Sequence, residues 1–280
     1  MKPLTEQFEV AGGSVAGRDH RHSLRNSQDA YHCDARRGVI AAVVCDGCGS
    51  GEHSEVGAQI GARLAVEEIL RNYHRDPFDF GFASGANGID SALARVQRSI
   101  LAKIQLLADA MGSSFTENIG EYFLFTLVGA IVTETGTFIF SCGDGIFSLN
   151  GDVTRLTSKD NRPDYISYGL VESGIGAPKL SVQVFQPTVE VSSLLIGTDG
   201  CEALLDAVDT KIPGKEDKVG PINQFWSYDR YFKNPFAVGH RLNLINRDMA
   251  RYDPEKKVMI EEHGPLRDDT TFIVIRRKKA

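Results

Sequence analysis

Asp46 stands where seven apolar residues, Val39 to Cys45, give way to the turn Gly47-Cys48-Gly49-Ser50-Gly51. A carboxylate at the mouth of a buried strand, beside a glycine whose carbonyl is open to approach, suits a hard cation such as Mg or Mn. Asp-Gly is also a common turn dipeptide, so this pair by itself reads as readily as a turn. Recurrence shifts the balance. Asp144 lies in Gly143-Asp144-Gly145, Asp199 in Gly197-Thr198-Asp199-Gly200, and Asp268-Asp269 precede the apolar run from Thr270 to Arg276. Asp29 stands just before a further strand-like stretch beginning at Ala30. Carboxylates gathered at one edge of a sheet repel one another, and divalent cations relieve that repulsion most economically.

Cys45 and Cys48 form a C-x-x-C that thiol redox chemistry or zinc could use. A redox pair sits at a helix N-terminus, whereas Gly49-Ser50-Gly51 intervenes here. Zinc would require a second pair, and Cys33, Cys142 and Cys201 are scattered singly. Five cysteines, an odd number, also argue against a disulfide framework.

The elements that must position these carboxylates are legible from hydrophobic period. Strands are expected at 8–15, 30–33 and 39–45, with a polar loop over 17–29. The stretch 54–73 carries Val56, Ile60, Leu64, Ile69 and Leu70 at helical spacing, with Ser54 as N-cap. A second helix over 90–111 places Leu93, Val96, Ile100, Ile104, Leu107 and Met111 at steps of three and four. Each helix has one apolar stripe, so each covers one side of something. Strands follow at 123–133, 137–142 and 146–149, with a hairpin signal at Asn150-Gly151-Asp152. A flap is expected at about 155–181, then strands at 182–185 and 189–196, and a short helix at 201–208. A loop over 212–229 and a helix over 234–252 precede the final strand, 270–276. Runs of antiparallel-looking strands interleaved with helices predict an α+β fold of two packed sheets with helices outside. No domain boundary shows, so 1–280 is read as one domain, with a flap and a loop/helix segment at about 212–252 where substrate choice is expected, because loops on a rigid scaffold usually carry it.

Composition excludes several classes. The chain is 42% hydrophobic with a net charge of -6, which leaves no basic footprint for nucleic acid. Its start lacks a secretory apolar segment and no apolar run reaches membrane-spanning length, so a cytoplasmic protein is expected. The basic end Arg276-Arg277-Lys278-Lys279 reads as a solvated strand end. Trp226, with Phe225, Tyr228 and Tyr231, reads as core or loop-anchoring packing, a protein-docking surface being the other reading.

Taken in order, Ser27-Gln28-Asp29-Ala30, Asp46-Gly47-Cys48-Gly49, Cys142-Gly143-Asp144-Gly145, Thr198-Asp199-Gly200 and Arg267-Asp268-Asp269-Thr270-Thr271 resemble the motifs of the metal-dependent (type 2C) protein phosphatases. The Gln-Asp-Ala form and the Asp-Gly-Cys-Gly-Ser turn resemble the divergent bacterial branch. The resemblance runs from about Gly17 to Arg276. It implies a four-layer α-β-β-α sandwich, two antiparallel sheets flanked by helix pairs, with a centre of two Mg or Mn ions at one end of the sheets. By the same resemblance Asp46 bridges both ions, the Gly47 carbonyl binds one, and Asp199 and Asp268 complete the direct ligands. Asp29 acts mainly through metal-bound water, and Asp144 with Asp199 faces a weaker third ion. The implied reaction is hydrolysis of phosphoserine or phosphothreonine by in-line attack of a hydroxide shared by the two ions, without a covalent intermediate. The implied partner is a phosphorylated protein, the substrate of a serine/threonine kinase, acted on by a monomer.

Three positions depart from the family pattern. Cys48 stands where many relatives have histidine, a candidate acid for the leaving alkoxide; the thiol, water or one of His20, His22 and His53 could serve instead. Arg25 is the nearest match to a phosphate-binding arginine but is displaced by one position, and a solvated loop arginine is the alternative. Ala203 stands where relatives often have a further aspartate, with Glu202 and Asp206 close by. These departures keep open a catalytically weak or inactive pseudophosphatase that acts as a regulatory binding module.

Overall fold

Every side chain from Val39 to Cys45 is buried, yet alternate residues serve opposite faces. Val39, Ala41, Val43 and Cys45 join one apolar cluster, and Ile40, Ala42 and Val44 join another. A strand covered on both faces reads as an unbroken apolar run, and that is the signature of a central layer.

The computed structural model describes residues 3–158, 163–171 and 177–279. The amino-terminal half of these contains α1 (Leu4–Gln7), β1 (Phe8–Val15), α2 (Arg18–His22), β2 (Asp29–Arg36), β3 (Val39–Asp46), α3 (Ser54–Arg75), α4 (Gly85–Ala110), α5 (Phe115–Tyr122), β4 (Leu127–Thr133) and β5 (Gly136–Cys142). There follow β6 (Gly145–Leu149), β7 (Asp152–Leu156), α6 (Tyr168–Val171), β8 (Ser181–Pro187), β9 (Ser193–Gly197) and α7 (Cys201–Asp206). The last part holds α8 (Gln224–Ser227), α9 (Arg230–Lys233), α10 (Ala237–Ile245), β10 (Met249–Asp253), β11 (Val258–Glu262) and β12 (Thr270–Arg277).

Two five-stranded antiparallel sheets result, β1-β12-β9-β6-β7 and β2-β3-β4-β5-β8, with β10-β11 as a separate hairpin. The sheets face each other across a core that includes Phe8, Ile40, Val44, Val128, Ile139, Phe147, Ile196, Ile273 and Ile275. Helices α3 and α4 cover the outer face of the second sheet through Ala62, Val66, Ile69, Leu93, Val96 and Ile100. The first sheet is covered by α10 and the short helices before it, through Leu204, Phe225, Tyr231, Val238, Leu242 and Ile245. The fold is α+β with layers α-β-β-α. Burying each large aliphatic or Phe side chain contributes ~1.5–3 kcal/mol, so these three clusters supply the main drive for layering.

Several local expectations change. Ser54 is the first helical residue of α3 and the N-cap position falls on His53; the Ser54 hydroxyl accepts from Gln28 Nε2 at 2.6 Å. Residues 123–126 precede β4, and the helix α5 before them was not expected. The helix expected over 234–252 ends at Ile245; the remainder enters the β10-β11 hairpin, whose Tyr252 and Met259 are exposed and carry no buried face. The expected flap begins within β7 and contains α6, and its residues 159–162 and 172–176 lie outside the described residues. Arg276 is not a solvated strand end: it is buried, with its guanidinium on Glu9 at 2.6 Å, on Asp229 at 2.7 Å and over the Phe232 ring. Phe225 and Tyr231 are core, whereas Tyr228 is exposed. Among the described residues no helix is long and apolar enough to cross a membrane.

Candidate active site

Antiparallel pairing brings the carboxylates together from both sheets. Asp29 opens β2 opposite Asp46, which closes β3. In the other sheet Gly197 pairs with Phe272, so Asp199 and Asp268 stand just past the paired ends of β9 and β12. Thr198 ties the two ends together: its hydroxyl donates to Asp29 Oδ2 at 2.7 Å and its backbone N–H donates to the Thr271 carbonyl at 2.9 Å.

The turn after β3 is held by backbone contacts on both sides. Gly47 N–H donates to the Gln28 carbonyl at 3.1 Å, and Cys48 N–H to the Leu124 carbonyl at 2.9 Å. Thr126 N–H donates to the Asp46 carbonyl at 2.8 Å. A side chain at Gly47 would put its Cβ 2.9 Å from the Gln28 carbonyl and from both oxygens of Ser54, so only glycine permits this approach.

A cleft of about 280 Å³ opens at this edge, lined among others by His20, Asp46, Gly47, Cys48, Asp144, Tyr165, Asp199 and Asp268. Asp29 lies buried behind it. The Asp46 and Asp199 carboxylates are in hydrogen-bond contact with each other. Burial, then repulsion from Asp29, Asp199 and Asp268, pushes the Asp46 carboxyl well above its ordinary range. Asp29 is raised by burial and by Asp269, and Asp199 rises to about 6 through burial and the neighbouring Asp268 and Asp144. Asp144 is raised by burial, against which the Ser158 hydroxyl donates to it at 3.1 Å. Like charges are crowded at this edge without a counter-charge: among the described residues no lysine or arginine lines the cleft.

The adjacent Asp268 and Asp269 have separate tasks. Asp268 is exposed at the cleft, while Asp269 is buried and accepts from Gly17 N–H at 2.7 Å, from Gln28 N–H, and from His20 Nδ1 at 2.9 Å. Sequence reasoning had not singled out that brace, nor the amide of Gln28, which reaches Ser54 Oγ and the Gly51 carbonyl. The Gln-Asp pair of the first motif was the available signal.

Residues 16–234, well over half of the chain, match the family model described as protein phosphatase 2C. The chain belongs to the protein phosphatase 2C family. Solved structures of similar fold include a bacterial serine phosphatase, 15% identical over 98% of this chain and 99% of that one, with a TM-score of 0.52. The serine/threonine phosphatase Stp1 from Staphylococcus aureus is 16% identical over 100% of this chain and 98% of its own, also with a TM-score of 0.52. At such identities the likeness is one of fold. No match was found among curated proteins.

Set on a phosphatase 2C scaffold, the three departures acquire surroundings. Burial disfavours ionisation of Cys48, but hydrogen bonds with Ser50, at 3.1 Å, and with Tyr165 outweigh it and hold the thiol below its usual range. Cys45 is buried in the helix-side core instead, whereas Cys48 lines the cleft. Arg25 is exposed and donates to the carbonyls of Gly49 and Gly51 at 3.2 and 3.3 Å, beside the turn and outside the cleft lining. Glu202 and Asp206 both face Arg155, at 3.8 and 2.8 Å; neither of them, nor Ala203, lines the cleft. Of the three histidines, His20 lines the cleft, His22 lies on Asp248, and His53 stacks on Tyr122 with ring centroids 5.0 Å apart.

Proposed function

We propose that this chain hydrolyses phosphoserine and phosphothreonine in proteins, using two Mg or Mn ions and a more weakly held third. The carrying observation is the convergence of Asp46, Asp144, Asp199 and Asp268 on one cleft with Asp29 behind them. The donors fit hard divalent cations. They are oxygens only, and Asp29 Oδ1 is buried without a hydrogen-bond partner among the described residues. Asp46, Asp199, Asp268 and the Gly47 carbonyl would hold two ions, Asp29 would steady them from behind, and Asp144 with Asp199 would hold the third. When bound, the ions supply a water acidified for in-line attack on phosphorus and positive charge for the phosphoryl oxygens.

The chain's own groups then serve the leaving alkoxide. His20, fixed through Nδ1 on the buried Asp269, is the imidazole at the cleft, and we assign proton delivery to its Nε2. Arg25, at the rim beside the turn, would meet substrate phosphate only by releasing the Gly49 and Gly51 carbonyls. Pro163 and Tyr165 line the cleft, which supports a role for the flap, with the segment at about 212–252, in substrate choice by a cytoplasmic single-domain monomer acting on a kinase's phosphoprotein product.

Hydrolysis of p-nitrophenyl phosphate and of a phosphothreonine peptide, with Mn, with Mg and with chelator, tests the reading. Turnover should require metal and fall at least ~10²-fold in Asp199→Asn. Full turnover in chelator would overturn the proposal. Silence on both substrates, with Mn still bound calorimetrically, would favour the regulatory module, for which Cys48 and Ala203 are the supporting residues. His20→Gln separates the proton step from the rest. It should slow the peptide by ~10² or more, the usual worth of a positioned acid, and p-nitrophenyl phosphate far less, because nitrophenolate leaves without a proton. Equal losses on both substrates would remove His20 from that role.

A further inference from the structure

We infer that His22, Asp248 and His263 form a second metal site, separate from the carboxylate cleft and suited to zinc or a similar borderline transition ion. His22 Nε2 lies 3.1 Å from Asp248 Oδ2, and His263 Nδ1 lies 3.1 Å from Asp248 Oδ1. All three donor atoms fall within 4.8 Å of one another. Ligand atoms on a tetrahedral ion with ~2.0–2.1 Å bonds are ~3.3 Å apart; each imidazole stands near that spacing from its own oxygen of Asp248. Two imidazoles and one carboxylate select Zn, Co or Ni over Mg or Mn, which prefer oxygen.

The scaffold holds these donors in place. Met249 pairs with Glu262 at the open end of the β10-β11 hairpin, and Asp248 and His263 are the next residues outward on its two strands. Beneath them the buried Asn246 accepts from Leu266 N–H at 3.0 Å and donates to the Ala16 carbonyl at 3.1 Å, locking the hairpin base to the chain leading into α2. His22 arrives from the end of α2, and its ring meets that of His263 edge-on at 5.6 Å. All three side chains are about one-third to one-half exposed, so an ion has access and a fourth position is open to water. Arg21 is the competitor, 3.3 Å from Asp248 Oδ2; it also donates to the Asn246 carbonyl and keeps that anchor when it cedes the oxygen. A bound ion would stitch α2 to the hairpin, and α2 begins beside Gly17 and carries His20, two of the three residues that grip Asp269.

The test uses the full chain carrying Asp46→Asn, titrated with zinc calorimetrically and with cobalt(II) by visible absorption. The expected result is one equivalent whose cobalt form shows the strong bands of a four-coordinate site, with zinc raising the melting temperature. His22→Ala and His263→Ala should each weaken that equivalent at least tenfold and abolish the thermal shift. Zinc affinity and thermal shift unchanged by both histidine substitutions would overturn the proposal, as would a cobalt spectrum of weak six-coordinate bands alone. Both residues are exposed, and metal-free melting temperatures matching the parent will show that the variants fold.

Discussion

Asp46→Asn is expected to abolish turnover and at the same time to make the metal-free protein more stable. The two effects share one cause. Asp46 is raised well above the ordinary carboxylate range by burial and by Asp29, Asp199 and Asp268, so ionised Asp46 opposes folding unless cations are present. Under the proposed chemistry it is the ligand shared by both ions. Losing several kcal/mol of metal-derived transition-state stabilisation, at ~1.4 kcal/mol per decade, lowers turnover by ~10³ or more. The amide keeps the carboxylate's shape and can donate to Asp199. A carboxyl with a raised folded-state pKa contributes stability that is complete below its unfolded value and is lost as pH climbs through the folded value. Metal-free wild type should therefore melt at falling temperature from about pH 4 upward, through the value of about 6 for Asp199, with Asp29 and Asp46, both raised well above the ordinary carboxylate range, adding to the loss. In Asp46→Asn that slope should flatten, with melting at pH 7.5 raised by roughly 2–6 °C, the shift that ~1–2 kcal/mol gives a chain of this size. Manganese should stabilise wild type much more at pH 7.5 than at pH 5, and the variant little at either. A variant that melts lower than wild type without metal would show that the carboxylates are not in net repulsion.

The carboxylate edge was legible in the sequence because strands must stop somewhere, and here Asp29, Asp46, Asp199 and Asp268 mark the stops. The central strands β3 and β12 were legible as apolar runs, and α3 and α4 as apolar stripes. What escaped is what period and turn chemistry do not encode. Helix α5 is eight residues long with only Ile119 and Asn118 buried, too short to show a stripe. The β10-β11 hairpin has no buried face, so Met249 to Glu262 carries no alternation to read. Asp268 and Asp269 are indistinguishable as letters; only the neighbourhood of Gly17, His20 and Gln28 makes the second a brace. The contact of Tyr165 with Cys48 joins residues far apart in the chain, and no local period or turn signal encodes it.

Gly57→Ala should be among the most damaging changes outside the cleft, although alanine is the better helix former. Gly57 lies in the first turn of α3, where an added Cβ would stand 1.7 Å from the Tyr122 carbonyl oxygen and 2.9 Å from Phe123 Cα. Both obstacles are backbone, so no rotamer change relieves them. One turn later Gly61 receives the Phe125 ring in the same way, its Cβ position 2.3 Å from that ring. The two glycines make a groove in α3 that seats residues 122–125. Those residues in turn hold the turn after β3, through Leu124 to Cys48 N–H and through the bridge between Phe125 and Gly47. Backing the helix away should cost about 2–4 kcal/mol, at or above the usual range for overpacking, and outweigh the ~1 kcal/mol that alanine gains over glycine in a helix. Because the displaced segment is the one that fixes Asp46, turnover should fall as well, while Arg276 and its partners at the other end of the molecule are untouched. Gly120→Ala supplies the contrast: it lies in α5 with nothing within 4 Å of its Cβ position, and should be neutral or stabilise by ~0.4–1 kcal/mol. Urea denaturation of the two variants beside wild type reads both. Equal stability for Gly57→Ala and wild type would mean that α3 and the 122–125 segment are not in close backbone contact, and would remove the physical link drawn between that helix and the position of Asp46.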